Sequence, residues 1–204
     1  MTIAEISKYK KNVLGILFDI LVSVNNAKYI GAKSTENEDW VKSHPFFKYY
    51  FHQLRFILII QLTKLFNDSR NEKYNFYKFL RTLESTPLPE TNESNRNRIS
   101  NSSQMAKLIA DLKLMLEEFK VDITILINLR NNVYAHSKQI SAHSESGIIT
   151  LSNERIEALT ELAFNIYNKI TGEFYDGEFI FPNKKNWSPE WLIQRVAETR
   201  HKIP

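Results

Sequence analysis

The sequence predicts an all-α fold, a bundle of about five to seven helices in a single domain spanning residues 1–204. Three observations carry this. Only five glycines and six prolines occur in the chain, too few turn residues for a many-stranded sheet. Apolar side chains recur at three- and four-residue steps through long segments, the period of an amphipathic helix. A hydrophobic fraction of 43% with 25% charged residues is that of a globular chain able to bury a core.

The first helix is expected over residues 3–29, where Ile6, Tyr9, Val13, Ile16, Leu17, Ile20, Leu21 and Val24 form one stripe. Residues 31–43, with Glu36, Glu38 and Asp39, read as a polar segment. Ser43-His44-Pro45 starts a second helix, since proline is tolerated in a first turn. Its dense apolar set runs from Phe46 to Phe66, and Asn67-Asp68-Ser69 ends it. A short helix over 76–83 precedes Pro87 and Pro89, and residues 90–103 read as a solvated loop. A helix over 104–119 shows Met105, Leu108, Leu112, Leu116 and Phe119 in register. The run from Val121 to Leu129 is rich in β-branched residues, yet its length and surroundings favour a helix over a strand. Residues 141–147 read as a loop and 148–151 as briefly extended. Ser152 caps a helix over 153–171 that Gly172 stops, residues 175–179 form a turn, and Ser188-Pro189-Glu190 opens a last helix over 189–201.

Several functions are set aside by what is missing. With no cysteine there is no disulfide, thiolate metal site or cysteine nucleophile. No glycine-rich phosphate loop, Gly-x-Ser-x-Gly elbow or histidine pair at i, i+4 spacing occurs, so neither cofactor nor metal is expected. His136 and His143 make a poor metal pair, and Glu154, Glu157 and Glu161 read as a solvated acidic face. Lys8, Lys10 and Lys11 precede the apolar run 13–24 as in a secretory signal, but Asp19 interrupts that run. The expectation is a cytoplasmic protein without a membrane span. A net charge of +4 is compatible with a polyanionic partner without requiring one.

Arg130 and His136 are the chemically suggestive pair. Arginine offers phosphate oxygens a planar fork of donors, and histidine moves protons near neutrality. RNA carries its own nucleophile in the 2′-hydroxyl, so a base, an acid and a cation suffice for cleavage. Six helical steps place the two residues about 9 Å apart along the axis and roughly 120° apart around it, so one straight helix does not converge them. Asn132 and His136 are i, i+4 neighbours that can hydrogen-bond. The spacing alone is common, expected on the order of once by chance, and Arg195 and His201 repeat it near the C-terminus. Structural roles also suit each residue: Arg130 in an edge salt bridge, His136 at a helix C-terminus, Tyr134 in the core.

The setting separates the first pair from the second: an apolar run over 123–129 leads directly into Arg-Asn-Asn and ends in His-Ser. The stretch Asn128-Leu129-Arg130-Asn131-Asn132-Val133-Tyr134-Ala135-His136-Ser137 resembles the Arg-x(4 to 6)-His signature of the HEPN superfamily, above all its abortive-infection AbiU-like branch. Leu62-Thr63-Lys64-Leu65-Phe66-Asn67-Asp68 looks like that branch's second-helix segment, and the resemblance covers roughly residues 53–168.

That resemblance implies a HEPN-like core over about residues 45–171, with a turn and short helix in 172–204. It also implies a homodimer whose arginines and histidines line a shared cleft, acting as a metal-independent endoribonuclease in phage defence or a toxin-antitoxin system. Carried over residue by residue, Arg130 matches the phosphate-binding arginine, Asn131 the polar residue after it and His136 the catalytic histidine. Asn132 and Lys138 are the expected substrate contacts, RNA the expected partner, and an antitoxin or nucleotidyltransferase a further one. Lys138 stands where some toxin members carry a tyrosine that a partner nucleotidylates, so that control is not expected. The alternative is a non-catalytic HEPN module that binds a partner protein or a nucleotide.

Overall fold

A computed structural model describes residues 3–69, 71–85, 102–131, 151–174 and 187–200. Among these residues there are eight helices and no strand, so the fold is all-α. In order they are α1 (Ile3–Gly31), α2 (Glu36–Lys42), α3 (Pro45–Phe66), α4 (Phe76–Ser85), α5 (Ser102–Glu118), α6 (Lys120–Leu129), α7 (Asn153–Phe174) and α8 (Glu190–Thr199). The chain divides into two compact units. Unit 1 comprises Met1–Leu17 and Ile59–Ile180, and unit 2 comprises Phe18–Leu58 and Phe181–Pro204.

In unit 1 the core is made by facing stripes. Tyr9 of α1 stacks on Phe79 of α4 at 4.4 Å between ring centroids, and Phe66 of α3 meets Phe76 at 5.5 Å. The stripe Leu108, Leu112 and Leu116 of α5 is buried, as are Ile156, Leu159, Ala163, Ile166 and Ile170 of α7. Helices α5, α6 and α7 pack against one another, and α4 packs on α5. Local hydrogen bonds fix the starts. The Lys78 amide donates to Asn75 Oδ1 at 2.7 Å ahead of α4, and the Arg155 amide donates to Ser152 Oγ at 3.3 Å ahead of α7.

In unit 2 the segment expected to be a polar connection contains α2. Thr35 caps it by accepting from the Glu38 amide at 3.3 Å, and three acids in its first turn suit the helix dipole. The pattern was hard to see because only Val41, with the stem of Lys42, is buried along seven residues. Lys42 Nζ donates to the Ala32 carbonyl at 3.1 Å and to Ser34 Oγ at 2.6 Å, satisfying groups just beyond the end of α1. Helix α2 packs on α8, and Ile30, Val41, Phe47, Leu54, Ile193 and Ala197 form the unit's core.

Helix α7 runs past Gly172, the expected stop, to Phe174. Glycine permits but does not impose a helix end, and buried Thr171 and Phe174 draw the last turn onto the core. Helix α5 begins at Ser102, inside the segment expected as loop, and α8 begins after Pro189, where Ser188 Oγ accepts from the Glu190 amide at 3.2 Å. Helix α1 is long and apolar enough to cross a membrane by length and composition. Its stripe of Ile6, Tyr9, Val13, Leu17 and Ile20 is buried within the protein, the pattern of a core helix.

Candidate functional site

The candidate site is built on α6. Its β-branched run is helical because Ile123 and Leu126, three residues apart, are buried against α5 and α7, a packing gain that outweighs weak propensity. Phe119, at φ −103° and ψ 10°, breaks α5 from α6. Asp122 in the first turn of α6 accepts from Arg155 Nη1 at 2.6 Å, tying α6 to the start of α7.

Arg130 follows one turn after Leu126 and two after Ile123, on the buried stripe of the helix. As a residue Arg130 is half-buried there. Its amide still bonds back to the Leu126 and Ile127 carbonyls, and at Arg130 and Asn131 the helix widens into a π-helical turn. Such turns are rare and concentrate where a helix presents a functional side chain. Arg130 Nη1 donates to Asn131 Oδ1 at 3.0 Å, which fixes one edge of the guanidinium fork. The structure therefore brings Arg130 and Asn131 together, while Asn132, His136 and Lys138, with His143, lie outside the described residues.

Sequence reasoning missed the Asp122–Arg155 pair, which bridges residues 33 positions apart with no local signal. It also missed Lys42, a charged residue buried to 7% exposure whose sequence neighbours give no sign that the end of α1 comes back to it. Glu154 and Glu161 are exposed, whereas Glu157 between them is half-buried. Among the described residues no three His, Cys, Asp or Glu side chains gather as metal ligands.

The family model HEPN_AbiU2, described as AbiU2, matches residues 15–185. The chain belongs to the HEPN_AbiU2 family. The matched span exceeds the 53–168 over which the sequence resemblance was read, reaching from α1 past the end of α7, so it takes in the stretch from Arg130 to His136. Comparisons with curated proteins and with solved structures returned no match. An all-α HEPN module is thus the fold and family of this protein.

Proposed function

We propose that this HEPN module is a metal-independent endoribonuclease acting in phage defence or as a toxin, with Arg130, Asn131 and His136 at a cleft shared by two copies of the chain. The observation that carries the reading is the position of Arg130, a half-buried residue on the packed stripe of α6 whose guanidinium donates to Asn131, in a chain of the HEPN_AbiU2 family. An arginine, where the stripe before it carries isoleucine and leucine, offers a fork of donors suited to phosphate oxygens that neither of those residues supplies.

In this reading His136 removes the proton of the 2′-hydroxyl, whose oxygen attacks the adjacent phosphorus. Arg130 donates to the non-bridging oxygens as their charge grows, with Asn131 keeping the fork in plane. The 5′-oxygen leaves with a proton from the partner's histidine, giving a 2′,3′-cyclic phosphate and a 5′-hydroxyl end. Asn132 orients the imidazole and Lys138 meets the RNA backbone. A second copy supplies the convergence that a single straight helix does not.

Single-stranded RNA incubated with the purified protein in excess EDTA tests this. Cleavage with 2′,3′-cyclic phosphate ends is expected. Intact RNA across substrates of varied sequence, with a stable complex to another macromolecule instead, would favour the binding module.

A further inference from the structure

We propose that the apolar groove of unit 2, between α2, the start of α3 and α8, is a stacking site for the unpaired bases of single-stranded nucleic acid. Eleven large hydrophobic side chains stand exposed among the described residues, and six of them are aromatic: Trp40, Phe46, Tyr49, Phe56, Trp187 and Trp191. All six belong to unit 2, whereas the exposed large hydrophobics of unit 1 are the aliphatic Leu114 and Val121. An aliphatic side chain offers only apolar area, but an exposed ring also offers a π face. Every base has a matching face, so exposed rings take up unpaired bases with little regard to sequence.

The groove encloses about 540 Å³, within the size range of small-molecule sites. Trp40 and Phe46 flank it at 53% and 57% exposure, and Leu192 and Val196 of α8 wall it. Its rings are held in place by their neighbours. Phe46 lies nearly parallel to Tyr50 at 6.3 Å and edge-on to Phe47 at 5.2 Å. The Arg200 guanidinium sits 4.9 Å from the centre of the Trp40 ring and donates to Asn37 Oδ1 at 3.1 Å, which keeps a cation against the indole. His44 lines the groove, and its Nδ1 accepts from the Phe46 amide at 3.2 Å. The neutral imidazole therefore carries its proton on Nε2, a donor for a base carbonyl or a phosphate oxygen.

Charge favours the same occupant. Of the chain's 27 Lys and Arg and 23 Asp and Glu, unit 2 holds ten and six, and unit 1 seventeen of each, so the whole net charge of +4 resides in unit 2. Among the described residues that line the groove none is acidic. Two of the acids of α2 are engaged by the protein, Glu38 accepting from Tyr29 at 3.3 Å and Asp39 from Ser34 Oγ at 3.1 Å. A polyanion is thus drawn to unit 2 and meets no charge of its own sign in the groove. Arg130 belongs to unit 1, and base stacking in unit 2 does not depend on RNA cleavage.

Tryptophan fluorescence reads the site, because all three tryptophans of the chain lie in unit 2. The full chain is titrated with an end-labelled oligothymidylate of about 16 nucleotides, whose lack of a 2′-hydroxyl removes the proposed cleavage from the measurement. Quenching reports stacking in the wild type, and anisotropy of the label gives the affinity of each variant. The expected result is saturable quenching, binding that weakens as salt rises, and little competition from the duplex with oligoadenylate. Trp40→Leu and Phe46→Leu, which stay apolar but lose the ring, should bind about 5- to 150-fold more weakly. Trp40→Phe should recover much of the loss, and Leu114→Ala in unit 1 should bind as wild type does, with circular dichroism unchanged throughout. No binding, binding without quenching, leucine variants as tight as wild type, or a duplex that competes as well as the single strand would overturn the proposal. The two readings fail separately: DNA that binds through Trp40 and Phe46 while RNA stays uncut sinks only the nuclease, and RNA cleavage by a protein whose leucine variants bind DNA unchanged sinks only the stacking site.

Discussion

Unit 1 joins its helices with ion pairs, whereas unit 2 joins its own with caps and cation–ring contacts. In unit 1 Arg155 meets Asp122 between α7 and α6 at 2.6 Å, Lys169 meets Asp111 between α7 and α5 at 2.8 Å, and Lys113 pairs with Glu84 between α5 and α4. In unit 2 Lys42 caps the end of α1 and lies 4.6 Å from the Tyr29 ring centroid, and Arg200 sits 4.9 Å over Trp40 while donating to Asn37 at 3.1 Å. Among the described residues all three tryptophans belong to unit 2 and each is more than half exposed. Unit 1 buries its apolar stripes and staples its rims with charge. Unit 2 holds a smaller core and leaves more apolar side chains exposed.

That contrast can be broken most directly in the core beneath Arg130. Leu126 is fully buried, so Leu126→Ala is expected to cost about 3 kcal/mol of unfolding free energy through lost burial and a residual cavity, measured by urea denaturation. A loss under about 1 kcal/mol would mean that α6 is not anchored as described. In unit 2 the equivalent anchor is polar. Lys42→Met keeps the apolar stem but leaves the Ala32 carbonyl and Ser34 hydroxyl without their donor, with an expected loss of about 1–3 kcal/mol by the same measurement.

Unit 2 should also show an alkaline signature. Burial, with Glu38 and Glu190 nearby, pushes the Tyr29 hydroxyl up to about 12, and that hydroxyl donates to Glu38 Oε2 at 3.3 Å. The neutral form is the one stabilised by folding, so its contribution is fully present below about 10 and is lost as pH rises through about 12. Tyr29→Phe should therefore flatten the fall in thermal midpoint across that window; an unchanged slope would contradict it. The smallest effect belongs to the staples of unit 1. Arg155 is half exposed, so Arg155→Ala should cost less than about 1 kcal/mol and less still in high salt.

How much of this was readable beforehand follows the physics of each element. Helices α1, α3, α5 and α6 declared themselves because each buries a stripe long enough for its period to stand out, and β-branched α6 was recovered by length and context despite its propensity. Helix α2 hid because its seven residues carry little apolar pattern, although Thr35 with Glu38 was a capping signal in plain view. Gly172 misled because a glycine inside a helix costs only about 1 kcal/mol, less than burying Phe174 returns. At the site, the ten-residue signature named Arg130, and a register count from Ile123 and Leu126 would have shown that this arginine falls on the buried stripe. Its bond to Asn131 and the π-helical turn depend on backbone detail that spacing does not encode.

In the proposed mechanism Arg130 and His136 act together on RNA. Single-turnover cleavage of end-labelled single-stranded RNA in EDTA, by wild type, Arg130→Ala and His136→Ala, tests it most directly. Cleavage by wild type is expected, with losses of about 10²–10⁴-fold in each variant and helix content unchanged. Wild-type rates retained in either variant would contradict it.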